Sequence, residues 1–589
     1  MQRSFADKAL DWQSLQPHLE FSQISTSIDF WHLQPHLTHS LRLFLNSPQS
    51  SLLLLKTDDN SAYLPLLTQW IEAQSDNSNN SIVGADYLIT AGSQSDFPRI
   101  SVKPAMSLQD NFAARTGNVQ SALYVDQFKL FGSLRYHSAS QQIQLTPGLV
   151  HRANGGVLIL TLSALLTQFE LWPRLKQILH SKTFDWYSAH PFKPLPCEVP
   201  GYPIDLKLIL LGTRDELAAF ADLEENLYRF ADYTEIESYF MLNTTDEQQK
   251  WGNYISRLAQ NNALTIDHKG INRLYQLLTR ESGDRLTISV SPAKIIGLLK
   301  QAQALTHKAQ LSAVDFDAVF EQQQRQYRFL REQAYADILN EQVYVATEGE
   351  FVGQINGLSV IEYPGTPISF GEPSRISCIV QFGDGEVIDV ERKNELAGNL
   401  HSKGMMIAEA CLAGILELPS QLPFSASLVF EQSYGDIDGD SASLAGFCVL
   451  TSALADLPLP QHIAVTGAID QFGLVHAVGG VNDKIEGFFT ICQRRELNGR
   501  QGVIIPSTTI QQLSLSHDVV SAVKNGQFFI YAVDDVYQAC EILFQRDLIE
   551  EENKTYSKNS EPIAHLIQRR IDYRSEGNSR GFWANLFKS

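Results

Sequence analysis

The chain has 589 residues, of which 44% are apolar, so it can form about three or four domains with cores of their own; low-complexity and collagen-like classes are excluded. Its 66 acidic residues outnumber the 46 basic ones and give a formal net charge of −20. Because this charge repels a phosphate backbone, we expect no nucleic-acid partner.

The amino terminus and the cysteines both favour a soluble, cytoplasmic protein. The first residues, MQRSFADKALDWQSLQPHLEF, contain no apolar segment of a signal peptide, and nowhere do 18 apolar residues follow one another. The six cysteines are scattered without a CxxC pair, and several lie within apolar patterns, which is typical of reduced, buried cysteines. We therefore expect a cytoplasmic location and no membrane partner.

Residues 1–235 predict an α/β domain. Short apolar runs, bounded by Gly, Pro and Asn, alternate there with amphipathic segments, as buried strands do in a helix-flanked sheet. The runs are Leu52–Leu55, Tyr87–Ile89, Val157–Leu160 and Leu206–Leu211. The polar stretch 74–84 predicts a loop.

Residues 236–345 predict a helical subdomain. Apolar residues recur there at helical spacing. They are Ile271, Leu274, Leu277, Leu278, Ile295, Leu298 and Leu299.

A second α/β domain is predicted over 346–548, followed by a charged tail over 549–589. Strand-like runs alternate in this domain with helices near 404–417, 442–454, 483–496 and 535–545. The strand-like runs are VGQINGLSVI, ISCIVQFG, SASLVFEQ, IAVTGAID and GVIIPS. The tail has one helical patch around Ile563–Ile571, and we interpret it as a tail or docking segment.

Within the stretch SYGDIDGDSASLAG (433–446), Ser441 is predicted to lie at or next to the start of a helix. The free N–H groups and the positive dipole at such a position can stabilise an oxyanion. A lone serine in this context is more often a simple N-cap.

A lysine supplies the base that this serine would need. In HAVGGVNDKIEGFFTIC, Lys484 lies on the side of a predicted helix that carries the apolar residues Ile485, Phe488, Phe489 and Cys492. Burial lowers the pKa of a lysine, and a neutral amine next to a serine hydroxyl is a competent general base. The alternative is a lysine whose stem only covers apolar surface. Thr466, in the strand IAVTGAID, could orient the amine.

Six motifs of this domain resemble, in their order and separation, the Ser–Lys dyad domain of the Lon proteases, with DGDS closest to their B-type branch. The motifs are VGQINGLSV (352–360), FGEPSRI (370–376), LAGNLHSKGMMI (396–407), DGDSAS (438–443), Thr466-Gly467 and GGVNDK (479–484). The resemblance covers residues 348–546 almost continuously.

The resemblance implies that Ser441 is the nucleophile, that Lys484 is the general base and later the general acid, and that Thr466 positions Lys484. Asp438 and Asp440 would either orient the loop or hold the site inactive until substrate arrives, and both roles stay open. The competing mechanism is a Ser–His–Asp triad. Its candidate histidines are His401, His462 and His476.

Lon proteases couple this domain to an AAA+ ATPase, and residues of about 30–340 resemble such a domain without its chemistry. Segments LFGSLRY (130–136), LVHRANGGVLILTLSALL (149–166) and LILLGTRDE (208–216) carry the likeness. The strand SLLLL runs directly into Lys56 and Thr57 without the glycines of a phosphate-binding loop. Thr161 and Leu162 stand where a carboxylate should follow the Walker B strand.

The predicted fold class is therefore multidomain α/β: an AAA+-like sheet domain, a helical lid and a Lon-type protease domain. The predicted function is a serine endopeptidase that acts on unfolded or delivered polypeptides and forms a hexameric ring by family analogy. It would need no metal or other cofactor for peptide hydrolysis, whereas ATP and magnesium are implied by the family alone. The alternatives are an ATP-dependent protease with an unorthodox nucleotide site at Lys56 and Thr57, or a non-catalytic scaffold or adaptor.

Overall fold

A computed structural model describes most of the chain between residues 8 and 573. The residues in this span that it does not describe are 75–80, 91–97, 138, 141, 189–191, 193, 196, 364, 420, 434–436, 551–555 and 558–559. Most of the predicted loop 74–84 and the end of the charged tail therefore lie outside the described residues.

The amino-terminal region is built on a five-stranded parallel sheet. From one edge to the other its strands are Asp232–Glu235, Leu52–Lys56, Lys207–Gly212, Val157–Thr161 and Val119–Ala122. The inner strands are runs of leucine and isoleucine because both faces of the sheet are covered by other elements. The α-helices of this region are Pro35–Asn46, Asn60–Gln74, Gln127–Phe131, Leu149–Arg152, Leu162–Thr167, Trp172–Ser181 and Arg214–Leu223.

One predicted strand of this region belongs elsewhere. Tyr87–Ile89 lies in the strand Ile82–Thr90, which pairs antiparallel with Arg99–Pro104 and Phe112–Arg115 in a separate three-stranded sheet. Its placement in the helix-flanked sheet is wrong, because a short apolar run indicates a strand without indicating which sheet it joins. Leu88 and Ile89 are accordingly exposed. Further strand pairs are Ser133–His137 with Gln142–Thr146, and Thr183–Phe184 with Tyr202–Pro203.

The predicted helical region consists of five helices. They are Thr245–Asn261, His268–Ser282, Pro292–Thr306, Ala313–Gln326 and Arg328–Leu339. The predicted apolar positions Ile271, Leu274 and Leu278 are buried on the second helix. Two short strand pairs join the helices: Tyr239–Met241 with Thr287–Ser289, and Thr265–Ile266 with Gln310–Leu311.

The carboxy-terminal α/β region has a seven-stranded mixed sheet. In sheet order its strands are Val387–Asp389, Leu422–Phe430, Ser369–Gly385, Gln354–Glu362, Ile463–Val465, Gly502–Pro506 and Phe529–Val533. Its helices are Val390–Lys393, Asn399–Ile415, Ser443–Ala455, Val481–Arg494, His517–Lys524 and Val536–Phe544. Two short pairs are Glu350–Val352 with Pro458–Pro460, and Ala468–Ile469 with Val475–His476. All four helices predicted here are confirmed to within a few residues.

Two helices of this region carry the candidate site. We call Ser443–Ala455 the serine helix and Val481–Arg494 the lysine helix. Every residue of the serine helix is buried, as expected for a helix that is apolar on all sides. The lysine helix is amphipathic, and its predicted stripe of Ile485, Phe488, Phe489 and Cys492 is buried.

Both ends of the described chain lie against the carboxy-terminal region. The Leu10 N–H group donates to the Ile530 carbonyl at 2.8 Å, so the amino-terminal segment extends the edge of the seven-stranded sheet. Residues 563–573 form a helix that buries Ile563, Ile567 and Ile571 in the core around the serine helix. The predicted helical patch in the tail is confirmed.

All six cysteines are free thiols, and five of them are buried; Cys197 is partly exposed. The predicted multidomain α/β class is confirmed, with a parallel sheet in the first region and a mixed sheet in the last. In the described part of the chain, no helix has both the length and the apolar character that a membrane crossing requires.

Candidate active site

Ser441 and Lys484 lie side by side, although they are far apart in the sequence. The Nζ atom of Lys484 is 3.0 Å from the Oγ atom of Ser441 and 3.3 Å from the Oγ1 atom of Thr466. Ser441 is two residues before the serine helix, and Lys484 is in the first turn of the lysine helix. The structure thus brings together the three residues that were singled out as nucleophile, base and positioning group.

Backbone hydrogen bonds hold the serine loop against Thr466 and Gly467, which link the strand Ile463–Val465 to the strand Ala468–Ile469. The Gly467 N–H donates to the Ser441 carbonyl at 2.8 Å, and the Leu444 N–H donates to the Gly467 carbonyl at 3.1 Å. The Ser443 hydroxyl accepts the Ile469 N–H at 2.9 Å. The position of the Ser441 hydroxyl is therefore set by several bonds and not by its own rotamer alone.

The lysine helix is placed by a close approach to the strand Ser369–Gly385. A Cβ atom on Gly371 would lie 1.9 Å from the Asp483 carbonyl oxygen, so only glycine allows the two backbones to meet there. Gly480, with φ of +65°, turns the chain into this helix. Gly371 belongs to the FGEPSRI motif, which gives that motif a physical role.

Burial lowers the pKa of Lys484 from 10.5 to about 8, and the negative charge of Asp440 opposes this shift in part. The side chain is well shielded, since Lys484 is only 4% exposed. The ammonium form loses hydration in such a site, so the neutral amine becomes accessible at moderately alkaline pH. A neutral amine at hydrogen-bond distance from a hydroxyl can accept its proton.

Asp438 and Asp440 occupy different positions around the serine. One carboxylate oxygen of Asp438 accepts the Gly439 N–H at 2.9 Å and the Leu400 N–H at 3.2 Å, at the start of the helix Asn399–Ile415. These bonds favour the loop-orienting role for Asp438. The Asp440 carbonyl accepts the Ser443 N–H at 2.9 Å, and its carboxylate acts on Lys484 through charge.

The structure gives no support to a histidine base. His476 contacts Asp470 at 3.1 Å on an exposed hairpin, and the buried His401 contacts Asp389 at 3.2 Å. His462 is half-buried. Among the described hydrogen bonds, none joins any of the three histidines to Ser441.

A carboxylate occupies the helix start where a phosphate-binding loop would bind its anion. Asp59 accepts the backbone N–H groups of Ser61 and Ala62 at 3.0 Å each, at the start of the helix Asn60–Gln74. Hydrogen bonds from the Ser61 hydroxyl and the Ala62 N–H lower the pKa of Asp59, so it is an anion at neutral pH. Sequence reasoning missed this residue; an aspartate followed by serine at a helix start was the available signal.

Lys56 and Thr57, which stand where a phosphate-binding loop would have its lysine and threonine, form hydrogen bonds with other residues of the protein. The Lys56 amine donates to Glu235 at 3.1 Å, and Thr57 is buried with its hydroxyl accepting the Asp59 N–H at 3.2 Å. At the Walker B position, the Thr161 hydroxyl donates to the Leu123 carbonyl at 2.9 Å. The next residue, Leu162, is buried in the core.

Comparison with known proteins places this geometry in a family. Residues 435–545 match the family model of the Lon protease (S16) C-terminal proteolytic domain, and residues 122–237 match that of the LonB-like AAA domain. A Lon protease homolog of Haemophilus influenzae is 62% identical over 589 residues, which are 100% of this chain and 97% of the relative. The chain belongs to the Lon protease family.

More distant members of the Lon family are also similar. A Lon protease homolog of Escherichia coli is 44% identical over 520 residues, which are 87% of this chain and 86% of the relative. An archaeal Lon protease of Thermococcus kodakarensis is 22% identical over 416 residues, which are 68% of this chain and 61% of the relative. The Lon proteolytic domain supports a serine peptidase.

The match to the LonB-like AAA domain has an informative boundary. It begins at residue 122, so the strand Leu52–Lys56 and the altered loop that follows it lie outside the matched residues. The similarity to the LonB-like AAA domain is therefore found in the part of the parallel sheet that follows residue 122.

Proposed function

We propose that this Lon family member is an endopeptidase that cleaves polypeptides through Ser441 and Lys484 without hydrolysing ATP itself. The observation that carries the proposal is the 3.0 Å contact between the Lys484 amine and the Ser441 hydroxyl in a buried setting. No third residue is needed to supply a base.

The reaction is acyl transfer. Neutral Lys484 takes the Ser441 proton as the hydroxyl oxygen attacks the peptide carbonyl, and the ammonium then protonates the leaving amine. Thr466 holds the amine through its hydroxyl at 3.3 Å. Water hydrolyses the acyl-enzyme, with Lys484 again as base, and regenerates the free serine.

The oxyanion would be held by backbone N–H groups next to the nucleophile. Those of Ser443 and Leu444 already donate to the carbonyls of Asp440 and Gly467. Those of Ser441 and Ala442 donate to no carbonyl or side chain among the described residues, so we assign the oxyanion to this pair.

Substitution of either reacting residue tests the proposal. Ser441→Ala and Lys484→Ala should each abolish cleavage of casein, because one removes the nucleophile and the other removes its base. Lys403→Ala is the matched control, since Lys403 is exposed on the neighbouring helix Asn399–Ile415. Unchanged turnover in Ser441→Ala or Lys484→Ala would refute the mechanism and favour the scaffold alternative.

We further propose that the AAA-like region does not use ATP. The Asp59 carboxylate takes the N–H groups that would bind phosphate, and its charge would repel a nucleotide. Calorimetric titration with ATP and magnesium should therefore give no saturable heat. Saturable binding that is lost in Lys56→Ala would instead favour the unorthodox nucleotide site.

Family analogy supports polypeptide substrates and a hexameric ring, with peptides, unfolded proteins or delivered clients as the substrates. Sedimentation analysis of the full chain should give a mass of about six protomers; a monomer across the working concentration range would remove the ring from the proposal. A cytoplasmic location stays a prediction.

A further inference from the structure

A largely shielded arginine of the helical region binds two carboxylates of the lysine helix, beside a second contact in which Arg494 pairs with Glu332 at 2.8 Å. Arg280, on the helix His268–Ser282, binds both carboxylate oxygens of Glu486, at 2.6 and 2.7 Å, and one oxygen of Asp483 at 2.7 Å. Its guanidinium also lies 5.4 Å from the centre of the Phe320 ring. A bidentate contact between a guanidinium and a carboxylate fixes the relative orientation of the two groups as well as pairing their charges.

The two carboxylates lie on either side of Lys484 in the sequence of the lysine helix. Asp483 directly precedes Lys484, and Glu486 follows two positions later. Glu486 also accepts the Ser516 N–H at 2.8 Å, and the Asp483 backbone is in contact with Gly371. The first turn of the lysine helix is thus fixed between the strand Ser369–Gly385 on one side and Arg280 on the other.

We propose that Arg280 is a positioning residue for the Lys484 amine, by which the helical region controls the reactivity of the serine. This inference rests on the proposed function. Arg280 does not touch substrate or the reacting atoms; it acts by holding the turn that carries Lys484.

The physical argument concerns two neighbouring carboxylates that are only partly exposed to water. Burial raises the pKa of Asp483, with Arg280 acting against this rise. Without the guanidinium, Asp483 and Glu486 would lose the cation that bonds to both, and their mutual repulsion would act in a partly shielded site. Moving the first turn outward relieves it, and the same movement separates Lys484 from Ser441 and hydrates the amine.

Hydration of the amine gives a measurable consequence. Because burial is the main cause of the lowered pKa of Lys484, exposure returns that pKa toward 10.5. The other charged or titratable groups near this turn include Asp440 on the serine loop and Glu372 on the strand. The cleft that Arg280 shares with Asp483 and Glu486 is also lined by charged or titratable groups of neighbouring elements, which are Arg331, Glu332, Tyr335, Arg494 and Asp518. None of them is changed by the substitution below.

Arg280→Met should move the midpoint of the pH profile of peptide hydrolysis upward, and kcat/KM at pH 7.5 should fall about tenfold for each pH unit by which the midpoint rises. Arg273→Met is the matched control. Arg273 is a buried arginine on the same helix, but its partner Asp317, at 2.7 Å, lies on the helix Ala313–Gln326. The control should leave the midpoint unchanged even if it lowers stability.

Restoring charge balance provides a second variant. In Arg280→Met/Asp483→Asn/Glu486→Gln the two carboxylates that lost their cation are neutral, so the pH midpoint should return toward that of the wild type. The proposal is overturned if Arg280→Met keeps the wild-type midpoint, if Arg273→Met shifts it equally, or if the triple variant does not recover.

A readout independent of catalysis separates this proposal from the proposed function. Competitive acetylation of Lys484, followed by mass spectrometry across pH, reports the pKa of its amine in each full-length variant. If the wild type cleaves nothing, the proposed function fails, and the acetylation profile still decides the role of Arg280. An Arg280→Met profile identical to that of the wild type would contradict it.

Discussion

At the residue scale, burial lowers the pKa of Lys484 from 10.5 to about 8, and this shift has a cost in folding free energy. Between those two pH values the unfolded chain binds more protons than the folded one, so the free energy of unfolding rises with pH across that window. Below about pH 8 both states are protonated, and the full penalty of about 3 kcal/mol applies.

Lys484→Met should therefore give an inactive protein that is more stable than the wild type at pH 7, by up to about 3 kcal/mol. The gain should shrink as the pH rises from about 8 toward 10.5, because the folded amine is then neutral and the unfolded amine gradually loses its own proton. Urea unfolding at pH 7 and pH 9.5 measures both quantities. A variant less stable than the wild type at pH 7 would show that the amine carries no desolvation penalty.

Single residues also show how far sequence reasoning reaches. Lys484 and Ser441 could be predicted because each lies within a local pattern, an apolar stripe in one case and a helix start in the other. Arg280 could not be predicted, since its partner Glu486 is 206 positions away and only the packing of two regions brings them together. Asp59 was missed because the missing glycines of the phosphate-binding loop drew attention to Lys56 and Thr57. They gave no sign that a carboxylate caps the helix that follows.

At the scale of elements, the serine helix is held at both ends. At its start, the Leu444 N–H donates to the carbonyl of Gly467. At its end, Arg570 from the helix 563–573 donates to the carbonyls of Ala453 at 3.0 Å and Leu454 at 2.7 Å. A cation at a helix carboxy terminus satisfies free carbonyls and interacts favourably with the helix dipole. The tail helix thus supports the helix that follows the nucleophile.

Arg570→Ala should lower the free energy of unfolding by about 1 to 2 kcal/mol, because two carbonyls lose a charged donor. Arg569→Ala is the control, since Arg569 is exposed and pairs with Glu561 within the tail region. Thermal unfolding of the two variants gives the comparison. Equal melting temperatures would mean that the Arg570 contacts add nothing to stability.

Element type was easier to predict than element pairing. The alternation of apolar runs and helices gave the four helices around the candidate site, because their periodicity is local. The run Tyr87–Ile89 was assigned to the wrong sheet. Its apolar pattern indicates a strand but gives no information on its pairing partner, which is Arg99–Pro104.

At the scale of the whole molecule, the LonB-like AAA match at residues 122–237 precedes the Lon proteolytic match at 435–545. Our proposal is that Asp59 takes the phosphate position of the AAA-like region, so that this region does not use ATP. A protease without nucleotide-driven unfolding has no source of work for pulling a stable substrate apart. The expected substrates are therefore chains that are already unfolded.

We predict that the full-length protein degrades casein at the same rate with and without ATP and magnesium. It should leave green fluorescent protein with an unstructured tail fluorescent under both conditions, trimming the tail alone. Gel analysis and fluorescence measure the two outcomes in one assay. Loss of fluorescence that requires ATP would show that the AAA-like region is a working motor.

The central claim is that the Lys484 amine activates the Ser441 hydroxyl, and the rate at which a fluorophosphonate labels Ser441 tests it most directly. The rate constant should rise about tenfold per pH unit below pH 8 and level off above it, and Lys484→Met should show neither rise nor appreciable labelling. A rate that does not change between pH 6 and pH 9, or labelling that persists in Lys484→Met, would contradict the account.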